Sequence, residues 1–480
     1  MIMRINPVLW QISRTYRWLL TTIRLAQISI LFDKFLIRLL FKVFKNQVFK
    51  LTRSKKSQSE SALGLVRELL EDMGPTYIKF GQMLSIRPEL PTGLREEFQK
   101  LQERVPPFGY KKARVIIEKE LRAPLDKIFS TFDEQPIAAA SLCEVHRAVL
   151  RKEQVEVAVK VQRPNLDSTV TVDLAVLDFI VHAMERLFPV IKGYAISQLL
   201  GVFSRAIRKE MDFKLEASSQ TRAARNFKLR DKSLPDLGTI IIPRVYWRYT
   251  REKVLTMEFI HAIPFSALIE DAKTNRTNYH AKAITLSRIY AEMVIEHKFT
   301  HADPHPGNIY LSKDGDFVLF DFGMVDHIDD DVLSNIQSFL LGIFYFADPK
   351  MTVDALMELN IGRKDRINQA VLLDDIRTLF DKHIIMDDFS DSGNVKIRGI
   401  ASLSQDVIGI ASHFTGFRVP DSVCWLIKIV AYMDGLSREL RLPAFDMIQM
   451  FQPYLERVAI NRGIEHSDHH VTGTIQDEAE

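Results

Sequence analysis

Cysteine is almost absent. Cys143 and Cys424 are the only two in 480 residues, and they do not have CxxC spacing. That excludes a disulfide framework and the usual zinc and thioredoxin-type sites, and it points to a reducing compartment. Long uncharged apolar runs are missing too. Through the first 56 residues a basic side chain recurs at least every ten positions, so no stretch there reaches the ~18–20 apolar residues of a membrane span. Neither proline (19) nor glycine (20) is in excess, and the formal net charge is only +3. Disorder and fibrous structure are excluded on that composition. No short apolar region ends in a small-residue cleavage site, so no secretory signal is expected.

What is present is unevenly placed charge. From Arg4 to Lys56 there are twelve basic residues and one acid, Asp33, interleaved with Trp10, Trp18, Phe32, Phe35, Leu36, Leu39, Leu40, Phe41 and Phe44. Leu36, Leu39, Leu40 and Val43 fall on one helix face. Such a helix suits an anionic membrane surface. Two other readings are a helix docked on the protein's own body and an Arg-rich mitochondrial presequence. Nucleic acid is disfavoured, because the basic positions alternate with Leu and Phe.

At 480 residues the chain exceeds the ~250–300 residues of one core. The pattern divides it into basic amphipathic helices at 1–60, a helical extension at 61–131, a mixed lobe at 132–259, a helical lobe at 260–462 and a disordered tail at 463–480. Helical periodicity covers Leu63 to Asp72 and Tyr77 to Ile86. Val155, Val157, Val159 and Val161 alternate with Glu156, Ala158, Lys160 and Gln162, the period of a strand with one buried face. Helices are expected from Leu166 to Phe188 and from Ser197 to Leu229. Strands are expected at 240–243 and at Val254 to Met257. The fold class is α+β, a small mixed lobe followed by a larger helical one.

The chemistry is densest at His301-Ala302-Asp303-Pro304-His305-Pro306-Gly307-Asn308, which precedes a hairpin and Asp321-Phe322-Gly323. Phosphoryl transfer needs metal ions on the phosphates and a carboxylate near the nucleophile. An Asp five residues before an Asn, then a hairpin into Asp-Phe-Gly, delivers those groups to one point. Asp303 would position the attacking group, and Asn308 and Asp321 would offer the hard oxygens that Mg²⁺ prefers. Two other readings are a transition-metal site from His301, Asp303 and His305, and a plain capped loop. Lys160 lies opposite the valines, free to enter a cleft as a phosphate contact; alone it would read as an edge-strand charge. Pro136-Ile137-Ala138-Ala139-Ala140-Ser141 stands where a phosphate loop is expected, with alanines in place of glycines.

Taken in order, these motifs resemble the ABC1/UbiB (AarF-domain) family of atypical kinases. Lys79-Phe80-Gly81-Gln82 is similar to its KxGQ motif, Ala138-Ala139-Ala140-Ser141 to its alanine-rich loop, Val157-Ala158-Val159-Lys160 to its ATP-contacting strand and Glu210-Met211-Asp212 to its ExD motif. The resemblance runs from about Leu63 to Leu440. It implies a protein-kinase-like fold with ATP and Mg²⁺, with Met257 joining the nucleotide-contacting residues and Glu216 holding Lys160. It implies that the KxGQ segment covers the peptide-substrate site, with Lys79 and Gln82 facing Glu210 and Asp212. ATP hydrolysis is therefore expected over protein phosphorylation; no APE-type anchor follows Met324. Alternatives are a small-molecule phosphotransferase and a nucleotide-binding scaffold without turnover. Quinone or related lipid metabolism is implied, with anionic lipids, quinone precursors and quinone-biosynthesis enzymes as partners. The location implied is the cytoplasmic face of the plasma membrane, or alternatively the mitochondrial inner membrane.

Two departures stand out. The alanine loop continues Leu142-Cys143-Glu144-Val145-His146, where relatives carry a small residue and Gln, and Glu144 is expected to add negative charge near the phosphates. The paired C-terminal spans of proteobacterial UbiB proteins are also missing: Val423 to Met433 is short and contains Lys428.

Overall fold

The computed structural model describes residues 22–23, 26–31, 33–34, 62–85, 90–101, 106–187, 196–231, 233–275, 279–301, 306–359, 368–386, 395–397, 421–440 and 447–463. Most of the basic N-terminal segment, Asp303 and the tail beyond Gly463 lie outside these residues.

Helices α1 (Ala62–Met73), α2 (Pro75–Ser85) and α3 (Thr92–Gln99) come first, with Gly74 at φ 107° turning α1 into α2. Then come α4 (Tyr110–Leu121), α5 (Leu125–Ile128) and the strands β1 (Phe129–Phe132), β2 (Ala138–Ala139), β3 (Cys143–Leu150) and β4 (Glu156–Gln162). The long α6 (Leu166–Leu187), α7 (Ile196–Glu210) and α8 (Phe213–Lys228) precede β5 (Ile240–Ile241) and β6 (Val254–Glu258). The small lobe is an antiparallel sheet in the order β1-β3-β4-β6, with β2 paired to β3.

The valine face expected in β4 is present: Val157, Val159 and Val161 are fully buried, in one core with Ala113 and Ile117 of α4. Burial of such side chains stabilises by roughly 1.5–3 kcal/mol each, which fixes the register of β4. The other face, expected to be open, is buried too at Ala158 and Gln162, and it carries Lys160 into the cleft. The extension packs elsewhere: Tyr77, Phe80 and Leu84 of α2 share a core with Val170 and Leu177 of α6 and with Phe203 and Ile207 of α7. Ile28, within the helical residues 26–31, is buried in the same core. That part of the basic segment therefore docks on the body of the protein.

The helix expected over 197–229 is two helices. Asp212 leaves helical geometry (φ −98°, ψ 97°) and its carboxylate accepts from the Lys214 amide, capping α8. A carboxylate that satisfies an orphan N–H at a new helix start favours a break there over one continuous helix. Asp212 and Glu216 therefore do not share a helix face as an i,i+4 pair.

The large lobe begins with β7 (Ala262–Pro264), α9 (Phe265–Asn275) and α10 (His280–Ile295). It continues through β8 (Phe299–His301), β9 (Ile309–Ser312), β10 (Phe317–Leu319) and β11 (Val325–His327). The helices α11 (Asp330–Phe344), α12 (Pro349–Glu358), α13 (Gln369–His383), α14 (Asp421–Glu439) and α15 (Met447–Asn461) complete it, with a short pair β12 (Ile384–Met386) and β13 (Val395–Ile397) after α13. The hairpin β9–β10 is joined by β7 and, in parallel, by β5, so residues 240–241 serve this sheet and not that of the small lobe. Among the described residues no helix is long and apolar enough to cross a membrane.

Candidate active site

The two lobes meet at Lys160. Its ammonium lies 2.8 and 2.9 Å from the two carboxylate oxygens of Glu216 on α8, 3.6 Å from Asp321 Oδ2, and 5.2 Å from the centre of the Phe213 ring. The Lys160 side chain is 11% exposed and that of Glu216 1%, whereas the Asp321 side chain is 42% exposed. One carboxylate is thus sealed behind the lysine while the other opens to the cleft.

The charges are mutually arranged. Burial opposes the Lys160 charge, but Asp321 and Glu216 together hold the ammonium well above its ordinary range. Burial pushes Glu216 up to about 7 against the pull of Lys160, with Asp321 and Glu210 adding like-charge repulsion. Burial also works against Asp321, yet Lys160, the Gly323 amide and the more distant His301 and Lys79 hold it below the usual carboxylate range. Asp321 is therefore the ionised oxygen donor of the group.

Local geometry explains how Asp321 is presented. It sits at φ 58°, a left-handed conformation uncommon for a side-chain-bearing residue, and Oδ1 accepts from the Gly323 amide at 3.1 Å. A Cβ on Gly323 would stand 3.1 Å from Asp321 Oδ1 and 3.4 Å from Glu210 Cγ, so the turn needs glycine for close approach. Phe322 is buried and packs edge-on against His301 at 5.2 Å, and His301 Nε2 lies 3.3 Å from the Phe320 carbonyl. The loop is bolted at both ends. Asn308 ends the turn Pro306–Asn308 before β9, and its carbonyl accepts from the Phe320 amide at 2.9 Å. The hairpin therefore returns Asn308 and Asp321 to the same end of the sheet. Asp303 and His305 are among the undescribed residues, so both the base position and the His301/Asp303/His305 metal reading fall outside what is described.

These residues fit a nucleotide with Mg²⁺. An amide oxygen at Asn308 and a half-open ionised carboxylate at Asp321 are hard donors of the small number that Mg²⁺ takes from protein when phosphates supply the rest. No cluster of three or more His, Cys, Asp or Glu forms a metal cage among the described residues. Ala138 and Ala139 pair with Val145 and Glu144 as a short strand on β3, and Ser141 is buried. Met257 lies opposite Ala158, its sulfur 3.7 Å from the Gln220 amide nitrogen.

Lys79 reaches Glu210 at 2.6 Å across 131 residues of chain, and Glu210 borders Gly323. Gln82 does not join that pair: its amide donates to the Leu101 carbonyl at 3.1 Å, and Asp212 serves as the α8 cap. A Cβ at Gly81 would meet the Leu101 and Leu70 side chains at 2.4 and 2.9 Å, which explains the glycine between the two polar positions by packing.

Glu144 corrects an expectation. Cross-strand partners share a face; Glu144 lies opposite Val161 and His146 opposite Val159, whereas Val145 lies opposite Lys160. Glu144 is thus on the core side of the sheet, fully buried, accepting from the Phe108 amide at 2.9 Å and lying 3.0 Å from His146 Nε2. It adds no charge on the phosphate side. Cys143 does face the cleft, where burial pushes its thiol up to about 12, leaving it unreactive. Phe213 and His301, which shape the lysine and the Asp-Phe-Gly turn, carry no spacing signal for those roles.

Residues 100–354 match the ABC1 atypical kinase-like domain. Among characterised and uncharacterised proteins the chain is similar to one from Synechocystis, at 32% identity over 82% of this chain and 65% of that one. It is similar to the chloroplastic protein ACTIVITY OF BC1 COMPLEX KINASE 7 of Arabidopsis thaliana, at 30% identity over 84% of this chain. It is also similar to a probable protein kinase UbiB of Pseudomonas putida, at 31% identity over 82% of this chain and 70% of that one. The chain spans 65% and 55% of the length of the first two. A Mycobacterium tuberculosis protein solved in complex with erythromycin shares the fold, with TM-score 0.51 and 19% identity over 85% of this chain and 94% of that one.

Proposed function

Because the chain belongs to the ABC1 atypical kinase-like family, we propose that it is an ATP- and Mg²⁺-dependent phosphoryl-transfer enzyme working at a membrane surface in isoprenoid-quinone or related lipid metabolism. The observation that carries the reading is Lys160 held between a sealed Glu216 and an open Asp321. A structural ion pair needs no second, solvent-facing carboxylate kept ionised; a phosphate site does.

In this reading Ala138, Ala139, Ala140 and Ser141 close over the nucleotide and Met257 borders its base. Lys160, oriented by Glu216, contacts the phosphates, and Asn308 and Asp321 hold the metal. Bound Mg²⁺ would neutralise charge on the transferring phosphoryl oxygens. Asp303 orients the attacking group. The Lys79–Glu210 contact fills the approach beside Gly323, which supports hydrolysis or a small acceptor over a peptide. The Leu- and Phe-rich basic residues before Lys56 supply the attachment to an anionic cytoplasmic-side membrane, with quinone precursors or their enzymes as partners.

Phosphate release from ATP and Mg²⁺ by the purified protein, with and without anionic liposomes, tests this. Asp321→Asn should lose about 10²–10³ in kcat, the usual cost of removing one preorganised charge-stabilising group. Tight ATP binding with no release under any lipid condition would replace the reading with a scaffold. ADP formed only with an added small acceptor would make the protein a phosphotransferase.

A further inference from the structure

The segment that builds the cleft also sorts its charges. Glu210 and Glu216 point inward to Lys79 and Lys160, and Asp212 is spent on the α8 cap. The charged side chains on the outward side of α8 are all cations: Lys214, Arg222, Arg225 and Lys228 are exposed. None of the four makes an ion pair among the described residues; Arg222 only donates to His327 Nδ1 at 3.4 Å. Leu215 and Leu229 are 48% and 67% exposed beside them. At ~100° per residue these six side chains, with Ser218 and Thr221 between them, occupy one sector of about 140°. At ~1.5 Å per residue the sector runs about 21 Å along the helix.

Cations cost nothing to leave in water, but a whole helix face of one sign, with no acid of α8 itself at i±3 or i±4, forgoes the pairs that usually stabilise an exposed helix. Arg208 and Lys209, also exposed, continue the positive charge at the end of α7. Two exposed leucines on the same sector are out of place on a phosphate-backbone reader and suit the boundary of a bilayer, where cations meet headgroups and apolar side chains enter beneath them. The N-terminal residues up to Lys56 repeat that chemistry in sequence, twelve basic residues and one acid among Leu and Phe.

We propose that the outer face of α8 docks on an anionic lipid bilayer, and that this contact regulates the nucleotide cleft through Glu216 on the inner face of the same helix. The docking stands on the exposed face alone; the regulation rests on the nucleotide reading above. α8 is well placed as the lever, since it bears the only carboxylate that contacts Lys160 within 3 Å among the described residues.

The test uses the full chain with nitrobenzoxadiazole attached at Ser218→Cys in a Cys424→Ser background, where Cys143 is buried. Vesicles of phosphatidylcholine with phosphatidylglycerol should shift the emission to the blue, phosphatidylcholine alone should not, and high salt should reverse the shift. Co-sedimentation with the anionic vesicles without any emission shift would place the contact elsewhere, in the N-terminal segment, and overturn the docking. A shift with polyglutamate but not with vesicles would replace lipid by an acidic protein. Neutralising the face (K214Q, R222Q, R225Q and K228Q together) should leave basal ATP turnover and the melting temperature unchanged. It should also raise the half-saturating anionic lipid for stimulation by at least about tenfold. Wild-type stimulation in that variant would overturn the regulatory link. Absence of turnover in every form would defeat the nucleotide reading while the fluorescence result still decides the docking.

Discussion

Among the described residues, two of the buried charge clusters are built from similar parts and do opposite things. In the large lobe Arg230 embraces Glu292 with Nε and Nη2 at 3.0 and 2.7 Å. The Tyr454 hydroxyl lies 3.2 Å from the same carboxylate and 3.1 Å from the Arg288 carbonyl. His297 Nε2 lies 3.5 Å from Glu292, and burial pulls that imidazole down to about 4, so it stays neutral. One cation meets one carboxylate, both covered, and the cluster ties α10 to α15. At the cleft, among the described residues, two cations, Lys79 and Lys160, face three carboxylates, Glu210, Glu216 and Asp321, one acid more than there are bases. A surplus of negative charge beside a lysine is costly unless something positive arrives. The closed cluster stabilises; the open one leaves Asp321 half-exposed, which is what the nucleotide reading proposed above needs.

That contrast breaks first at Arg230. Arg230→Met leaves the fully buried Glu292 without its cation, and removing one partner of a buried pair costs about 3–5 kcal/mol. The urea midpoint should fall accordingly, while the kcat of whatever protein remains folded should change little. Glu216→Gln is the mirror experiment. Lys160 keeps Asp321 and the amide oxygen of the new glutamine, so the loss of stability should be smaller than at Arg230. ATP turnover should drop by roughly 10², because the lysine loses the partner that aims it. Equal effects of the two variants on both readouts would erase the distinction between the clusters.

How much of this the sequence disclosed follows from the range of each interaction. Lys160 opposite its valines, the Asp-Phe-Gly turn and the hairpin before it are local patterns, and all are where spacing puts them. The burial side of Glu144 is also a local fact, but it requires counting strand parity from Lys160 across the β3–β4 register, which runs through a turn whose length sequence does not announce. Asp212 as a cap could have been found, since an Asp two residues before Lys214 at a change of helical phase is a capping signal. Lys79 with Glu210 could not be found from spacing, because 131 residues separate them and only the packing of α2 on α6 and α7 brings them together. The family resemblance supplied that pair. It also implied Gln82 in the same contact, where the chain instead uses Gln82 to hold the Leu101 carbonyl. The Arg230–Glu292 cluster had no signal at all: a charge in a helix reads as solvated until its neighbours are known.

The smallest expected effect is also the most discriminating, because the two clusters should tilt stability with pH in opposite directions. His297 titrates near about 4 in the folded protein against 6.5 unfolded. Its depressed value contributes stability that is present above 6.5 and lost as pH falls toward about 4. Glu216 titrates near about 7 in the nucleotide-free fold against 4.5 unfolded. Its raised value contributes stability that is present below 4.5 and lost as pH climbs toward about 7. Between these limits the slopes oppose and partly cancel, so wild-type urea midpoints should vary little from either source. Glu216→Gln should uncover the rise with pH from His297, and His297→Phe should uncover the fall from Glu216, both read as differences from wild type across the same buffers. Parallel slopes in the two variants would mean that Glu216 is ionised and closed off like Glu292. The pH signature that separates the cleft from the Arg230–Glu292 cluster would then be absent.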